Sequence, residues 1–153
     1  SGKNFVHPTN KDRKGGIRLF DNSLDPEDSS VRNCYRRIYP DFYCKNSNEN
    51  SNDGIILDAK YKRLENGLVR DDLYQIISYM HTMKISTGGF VYPQKENEEL
   101  AEQNPKKYHL ANNTGIIKTF GFVIPQNARE YTSFCKEMQK YELSLLSQFS
   151  KIW

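Results

Sequence analysis

The segment that most constrains this chain is Gly54-Ile55-Ile56-Leu57-Asp58-Ala59-Lys60-Tyr61-Lys62. Its aliphatic run followed by alternating charge reads as a strand. Side chains alternate across a strand, so Ile56, Asp58, Lys60 and Lys62 share one face and Leu57, Ala59 and Tyr61 the other. A carboxylate and an ammonium two residues apart beside an apolar run are costly to half-bury without a partner or a task. Asp12-Arg13-Lys14 repeats the D-x-K spacing with no strand before it, and reads as a solvated loop.

Upstream, residues 36–44 (RRIYPDFYC) form a second strand candidate, which Pro40 demotes to an edge or a bulge. The stretch KNSNENSND at 45–53 is almost pure turn chemistry. Two strands joined this way read as a hairpin with a long tip. Such a hairpin brings Asp41 and Asp58 to one end of the sheet, where the two carboxylates repel unless a cation sits between them. An oxygen-rich pair of that kind suits Mg²⁺ together with waters and a substrate phosphate. A lysine beside it can hold an attacking water and offset charge on phosphoryl oxygens. Downstream, the spacing predicts a helix over Asp71–Lys84, with Leu73, Ile76, Ile77 and Met80 on one face. Asp71 and Asp72 suit its positive N-terminus. Gln75 and Tyr79 lie on one flank of it, in reach of such a site or of a nucleic-acid backbone.

The remaining elements follow the same logic. Gly16–Phe20 reads as a short strand, 21–30 as a loop, Gly88–Pro93 as a strand and 94–107 as a charged loop. Lys107–Ala111 and Gly115–Ile124 read as strands around an Asn112–Gly115 turn. A long helix is expected from Asn127 to the end, opened by an Asn127/Glu130 capping box. Its stripe is Tyr131, Phe134, Met138, Tyr141, Leu145, Phe149 and Ile152. The order implies an α/β or α+β domain, a mixed central sheet flanked by helices.

With 153 residues the chain fits one domain, and ten Tyr and eight Phe add bulk to a 37% hydrophobic content. A net charge of +3 does not announce a nucleic-acid binder, so the placement of charge decides. Lys11/Arg13/Lys14, Arg36/Arg37 and Lys106/Lys107 are either groove-lining clusters or ordinary solvated faces. Cys34, Cys44 and Cys135 form no CxxC pair, so neither a disulfide framework nor a zinc site is suggested, and the usage reads as a reducing, intracellular compartment. His7, His81 and His109 have no metal spacing. No signal peptide or membrane-spanning run is present. Ser1-Gly2 reads as a tag scar, so residues 1–153 are expected to be a single catalytic domain cut from a longer chain.

Pro40-Asp41, Asp58-Ala59-Lys60 and Gln75-x-x-x-Tyr79 together resemble the PD-(D/E)xK nuclease superfamily. More narrowly, YPDF, ILDAKYK, RDDLYQIISYMH and GGFVYP are similar to the McrC-type nuclease subunit of modification-dependent restriction systems, nearly over the whole chain from about Phe5. The resemblance implies a restriction-endonuclease-like core in the cytoplasm of a bacterium or archaeon, and Mg²⁺-dependent hydrolysis of DNA phosphodiesters, with Mn²⁺ as a substitute. It implies Asp41 and Asp58 as metal ligands, completed by the carbonyl of Ala59, with Lys60 as the catalytic lysine. Gln75 would orient the nucleophilic water or touch the backbone, supported by Tyr79; Lys62 and Tyr79 become DNA-contact candidates. It also implies a partner GTPase of the AAA+ type. Members often carry a helix with a metal-supporting Glu before the first strand, and 1–35 shows no such helix. From a different class, the alternative is a non-catalytic DNA-binding or assembly module that keeps the nuclease fold.

Overall fold

The computed structural model describes residues 5–8, 16–19, 37–45, 53–62, 67–95 and 106–150. Asp12-Arg13-Lys14, the cluster at Lys11, the loop at 21–30, Cys34, Arg36, nearly all of the hairpin tip, most of the charged loop at 94–107 and Ile152 lie outside these residues, as does most of 1–35. A two-stranded antiparallel sheet pairs β1 (Ile17–Arg18) with β2 (Arg37–Ile38). The main sheet contains β3 (Phe42–Lys45), β4 (Gly54–Ala59), β5 (Thr87–Gln94), β6 (Lys106–His109) and β7 (Ile116–Val123) in the order β3-β4-β5-β7-β6. Its centre, β4-β5-β7, is parallel, and both edge strands run antiparallel to it. Helix α1 (Arg70–Met83) joins β4 to β5, and α2 (Tyr131–Ser150) follows β7.

Alternation along β4 divides the core. Ile56 joins Ile76, Tyr79, Met80, Phe90 and Ile117 in the layer beneath α1. Its neighbours Ile55 and Leu57 join Cys44 and Phe120 on the other face, where Leu145 and Phe149 of α2 pack. The expected face of the first helix is observed, with Ile76 and Met80 buried and Leu73 and Ile77 packed against them. Gly88 sets how closely α1 approaches. A Cβ there would fall 2.6 Å from Met80 Sδ and 2.9 Å from Ile76 Cγ1, so any side chain would push the helix off β5.

Four expectations need correction. The strand over 36–44 is interrupted: β2 ends at Ile38, β3 starts at Phe42, and the buried Pro40, which has no N–H for a ladder, stands in the break. Secondly, β4 ends at Ala59, the last residue with a ladder partner (Val91), so Tyr61 and Lys62 lie in a bend beyond it. The Lys60 amide still donates to the Val91 carbonyl at 2.7 Å. Thirdly, α2 begins at Tyr131, and the first helical bond runs from the Phe134 amide to the Glu130 carbonyl at 2.9 Å. Asn127 is therefore too early to cap it, and Tyr131, at 81% exposure, is not part of the packed stripe. Lastly, β6 stops at His109 and Ala111–Asn113 forms a 3-10 turn, with Asn113 at a φ of 54° and the Leu110 amide donating to the Gly115 carbonyl.

Cys44 and Cys135 are free thiols. Among the described residues no helix is long and apolar enough to cross a membrane.

Candidate functional site

Register decides what the hairpin brings together. Phe42 pairs with Leu57, so the residue before β3, Asp41, falls beside the end of β4. Its Oδ2 accepts the Ala59 N–H at 2.7 Å, closing the gap that Pro40 opens in the ladder. The His7 ring donates through Nδ1 to the Asp41 carbonyl and lies 5.0 Å from the Phe42 ring, which fixes Asp41 from the other side.

Asp58 sits at the same end of β4, opposite Phe90, with its side chain 9% exposed. The Lys60 ammonium stands 2.6 Å from Asp58 Oδ2 and 2.6 Å from Asp72 Oδ1. It also donates to Gln75 Oε1 at 3.4 Å and lies 5.7 Å above the Phe90 ring. Gln75 Nε2 in turn donates to the Tyr79 hydroxyl at 2.9 Å, while the ammonium, a donor only, takes the oxygen end of the amide. The Lys60 ammonium is the one donor that reaches this buried Asp58 oxygen among the described residues.

The cluster is rich in negative charge. Burial raises the Asp58 carboxyl above the ordinary range; Lys60 works against the rise, and the charges of Asp41 and Asp72 add to it. For Lys60, burial disfavours the ammonium, yet Asp58 and Asp72 together outweigh burial and hold it above an ordinary lysine. The Tyr79 phenol is raised by burial, with Asp58 and Asp41 adding to the shift. Two carboxylates thus share one ammonium while a third, Asp41, bears on Asp58, an excess of negative charge that a divalent cation would neutralise. Among the described residues, no group of three His, Cys, Asp or Glu is arranged to hold a metal. What remains is the Asp41/Asp58 pair at the Ala59 backbone, with an oxygen of Asp58 short of donors. That sparse oxygen set fits Mg²⁺, which keeps several waters and takes few protein ligands.

The structure brings Asp41, Asp58, Ala59, Lys60, Gln75 and Tyr79 into this one corner. Tyr79 is 7% exposed and belongs to the α1 core. Lys62 is exposed beyond the strand end. The sequence reading missed Asp72, having assigned it with Asp71 to the helix terminus. The signal was there: Asp72, Gln75 and Tyr79 recur at i, i+3 and i+7, so all three share a helix flank. Elsewhere, Arg37 donates to the Gly16 carbonyl and Lys107 lies directly across from Lys118 on β7, away from this corner. A groove of about 530 Å³ at the far end of α1, lined by Ile77, Met80, Lys84, Ile85 and Leu110 among others, lacks carboxylates.

A mixed five-stranded sheet flanked by helices, with the acid–lysine cluster at the carboxyl end of a central strand, has the restriction-endonuclease-like α+β arrangement. Residues 4–93 match the family described as McrBC 5-methylcytosine restriction system component. The match spans more than half of the chain, and the chain belongs to this family. Among solved structures, it is similar to a chain in a refined half-complex from a tetradecameric assembly of Thermococcus gammatolerans McrB AAA+ hexamers with bound McrC. The TM-score is 0.57 at 16% identity, over 78% of this chain and 26% of that one. This chain therefore spans about a quarter of that chain's length, and the likeness concerns the fold. No curated protein matches the chain.

Proposed function

We propose that this domain is the DNA-cleaving core of an McrC-type subunit, a PD-(D/E)xK endonuclease that depends on Mg²⁺ and works with an AAA+ partner. The observation that carries the reading is the convergence of Asp41, Asp58 and Lys60 at one sheet end, with a buried Asp58 oxygen left short of donors. Family membership supports the restriction setting. The assembly in which the similar fold occurs, McrB AAA+ hexamers with bound McrC, supports the partner.

A divalent cation seated between Asp41 and Asp58, with the Ala59 carbonyl beside them, would supply positive charge to the phosphoryl oxygens and acidity to a water. The chain's own groups do the rest. Asp41 is locked by the Ala59 N–H and by His7, so one carboxylate stays fixed without a cation to organise it. The Lys60 ammonium is placed to hold the attacking water and to stabilise charge that develops on the phosphoryl group. Gln75, oriented by Tyr79, presents its carbonyl oxygen to the same ammonium and limits where that ammonium can go. Lys62, free of the sheet, is a phosphate contact in this reading.

The two lysines separate chemistry from binding. In the full-length protein assayed with its partner, Lys60→Ala loses cleavage, by about 10²-fold or more, at unchanged DNA affinity. Lys62→Ala weakens DNA binding modestly, and its deficit shrinks as salt rises because phosphate contacts are salt-sensitive. Cleavage rates and affinities at low and high salt check both. Normal cleavage by a folded Lys60→Ala protein would sink the proposal.

A further inference from the structure

Lys60 touches two carboxylates at the same distance, 2.6 Å, and they come from different elements. Asp58 lies on β4 and is one of the two residues assigned above to the cation. Asp72 lies in the first turn of α1, where the positive helix end favours its charge whether or not Lys60 is near. The atom of Asp58 that faces the ammonium is Oδ2, a buried oxygen with no other donor among the described residues. A divalent cation seated on this oxygen would compete with the ammonium for it.

Helix α1 offers the ammonium an alternative seat. Besides Asp72, it supplies Gln75 Oε1 at 3.4 Å, and the Phe90 face closes the seat from below at 5.7 Å. None of these three groups is needed by the Asp41/Asp58 pair. We propose that Asp72 is a positioning residue: it draws the Lys60 ammonium off Asp58, freeing that carboxylate for the cation while keeping the ammonium beside the reacting phosphate. The inference rests on the Asp41/Asp58 cation site. It differs from a third-ligand role, because the Asp72 oxygen that faces the site is occupied by Lys60.

With Asp72 gone, Asp58 is the one carboxylate left to Lys60 among the described residues, and a cation on Asp58 must break that pair to bind. The test is Mn²⁺ binding to the full-length protein, measured by calorimetry without DNA, for the wild type, Asp72→Asn, Asp72→Glu, Lys60→Met and the Asp72→Asn/Lys60→Met double variant. Asp72→Asn is expected to weaken Mn²⁺ binding roughly tenfold, the scale of one hydrogen bond to a charged group. Asp72→Glu should bind Mn²⁺ like the wild type. The double variant should bind it as Lys60→Met does, because the competitor is gone. A loss that persists undiminished in the Lys60→Met background overturns the proposal, since Asp72 then acts on the cation directly. Unchanged binding in Asp72→Asn overturns it as well, with the cation site intact. Mn²⁺ binding that is absent from the wild type, or indifferent to Asp58→Asn, removes the cation site itself and the proposal with it.

Discussion

Asp58→Asn is expected to abolish the proposed Mg²⁺-dependent DNA cleavage, by at least about 10²–10³-fold, and to leave the melting temperature unchanged or higher. Both halves follow from one feature. The Asp58 carboxylate is almost fully buried, and burial pushes its carboxyl up despite the neighbouring Lys60. Its charge is thus a burden on the fold, and an amide of the same shape removes that burden. Lys60 keeps Asp72 as a partner in the variant, so no buried ammonium is stranded. The proposed reaction, by contrast, loses one of its two carboxylates. Cleavage assays with and without chelator, paired with thermal melts, read the two effects separately. A variant that melts far below the wild type would mean Asp58 holds the fold together, and a folded variant that still cuts would mean the chemistry lies elsewhere.

The largest effect on stability is expected at Phe90. Its side chain is fully buried at the centre of β5, in the layer with Ile56, Ile76, Met80 and Ile117. Phe90→Ala should cost about 3–5 kcal/mol, a transfer loss plus an unfilled cavity. Set against a typical total of about 5–15 kcal/mol, that is a large fraction of the stability of the domain. Melting should fall by roughly 6–20 °C for a domain of this size. Function falls with it, because Phe90 pairs in register with Asp58 and its ring lies under the Lys60 ammonium. Phe90→Leu keeps most of the volume and should show a much smaller drop. Denaturant titrations of the two variants decide. Equal and small losses would show that the layer beneath α1 does not depend on this ring.

Much of this architecture was legible because apolar runs and turn chemistry alternate cleanly. The run at Ile55-Ile56-Leu57 marks β4, and the polar stretch before it makes the hairpin with β3. The stripe of Leu73, Ile76, Ile77 and Met80 marks α1. Pairing partners are a different matter. Nothing local to Ala59 says that Val91 is its last ladder partner, so alternation was carried on to Lys62, past the point where the strand exists. Pro40 implies an edge strand or a bulge; β3 is indeed a sheet edge, and Pro40 divides it from β2, with Asp41 filling the gap through its side chain. At Asn127 and Glu130 a capping pattern is present in the sequence, but the helix starts beyond it. Asp72 was hidden because two adjacent acids at a helix start already have a sufficient local explanation. Its spacing to Gln75 and Tyr79 gained meaning once the register placed Lys60 against that flank.

The central claim is that Asp41 and Asp58 together hold a divalent cation beside Lys60. A crystal structure of the protein soaked in Mn²⁺, with anomalous scattering recorded, tests it most directly. The account predicts an anomalous peak between the two carboxylates, within about 2.0–2.6 Å of an oxygen of each, with the Lys60 ammonium shifted toward Asp72 and Gln75. Well-ordered carboxylates with no peak between them, and Lys60 still bonded to Asp58, would contradict it.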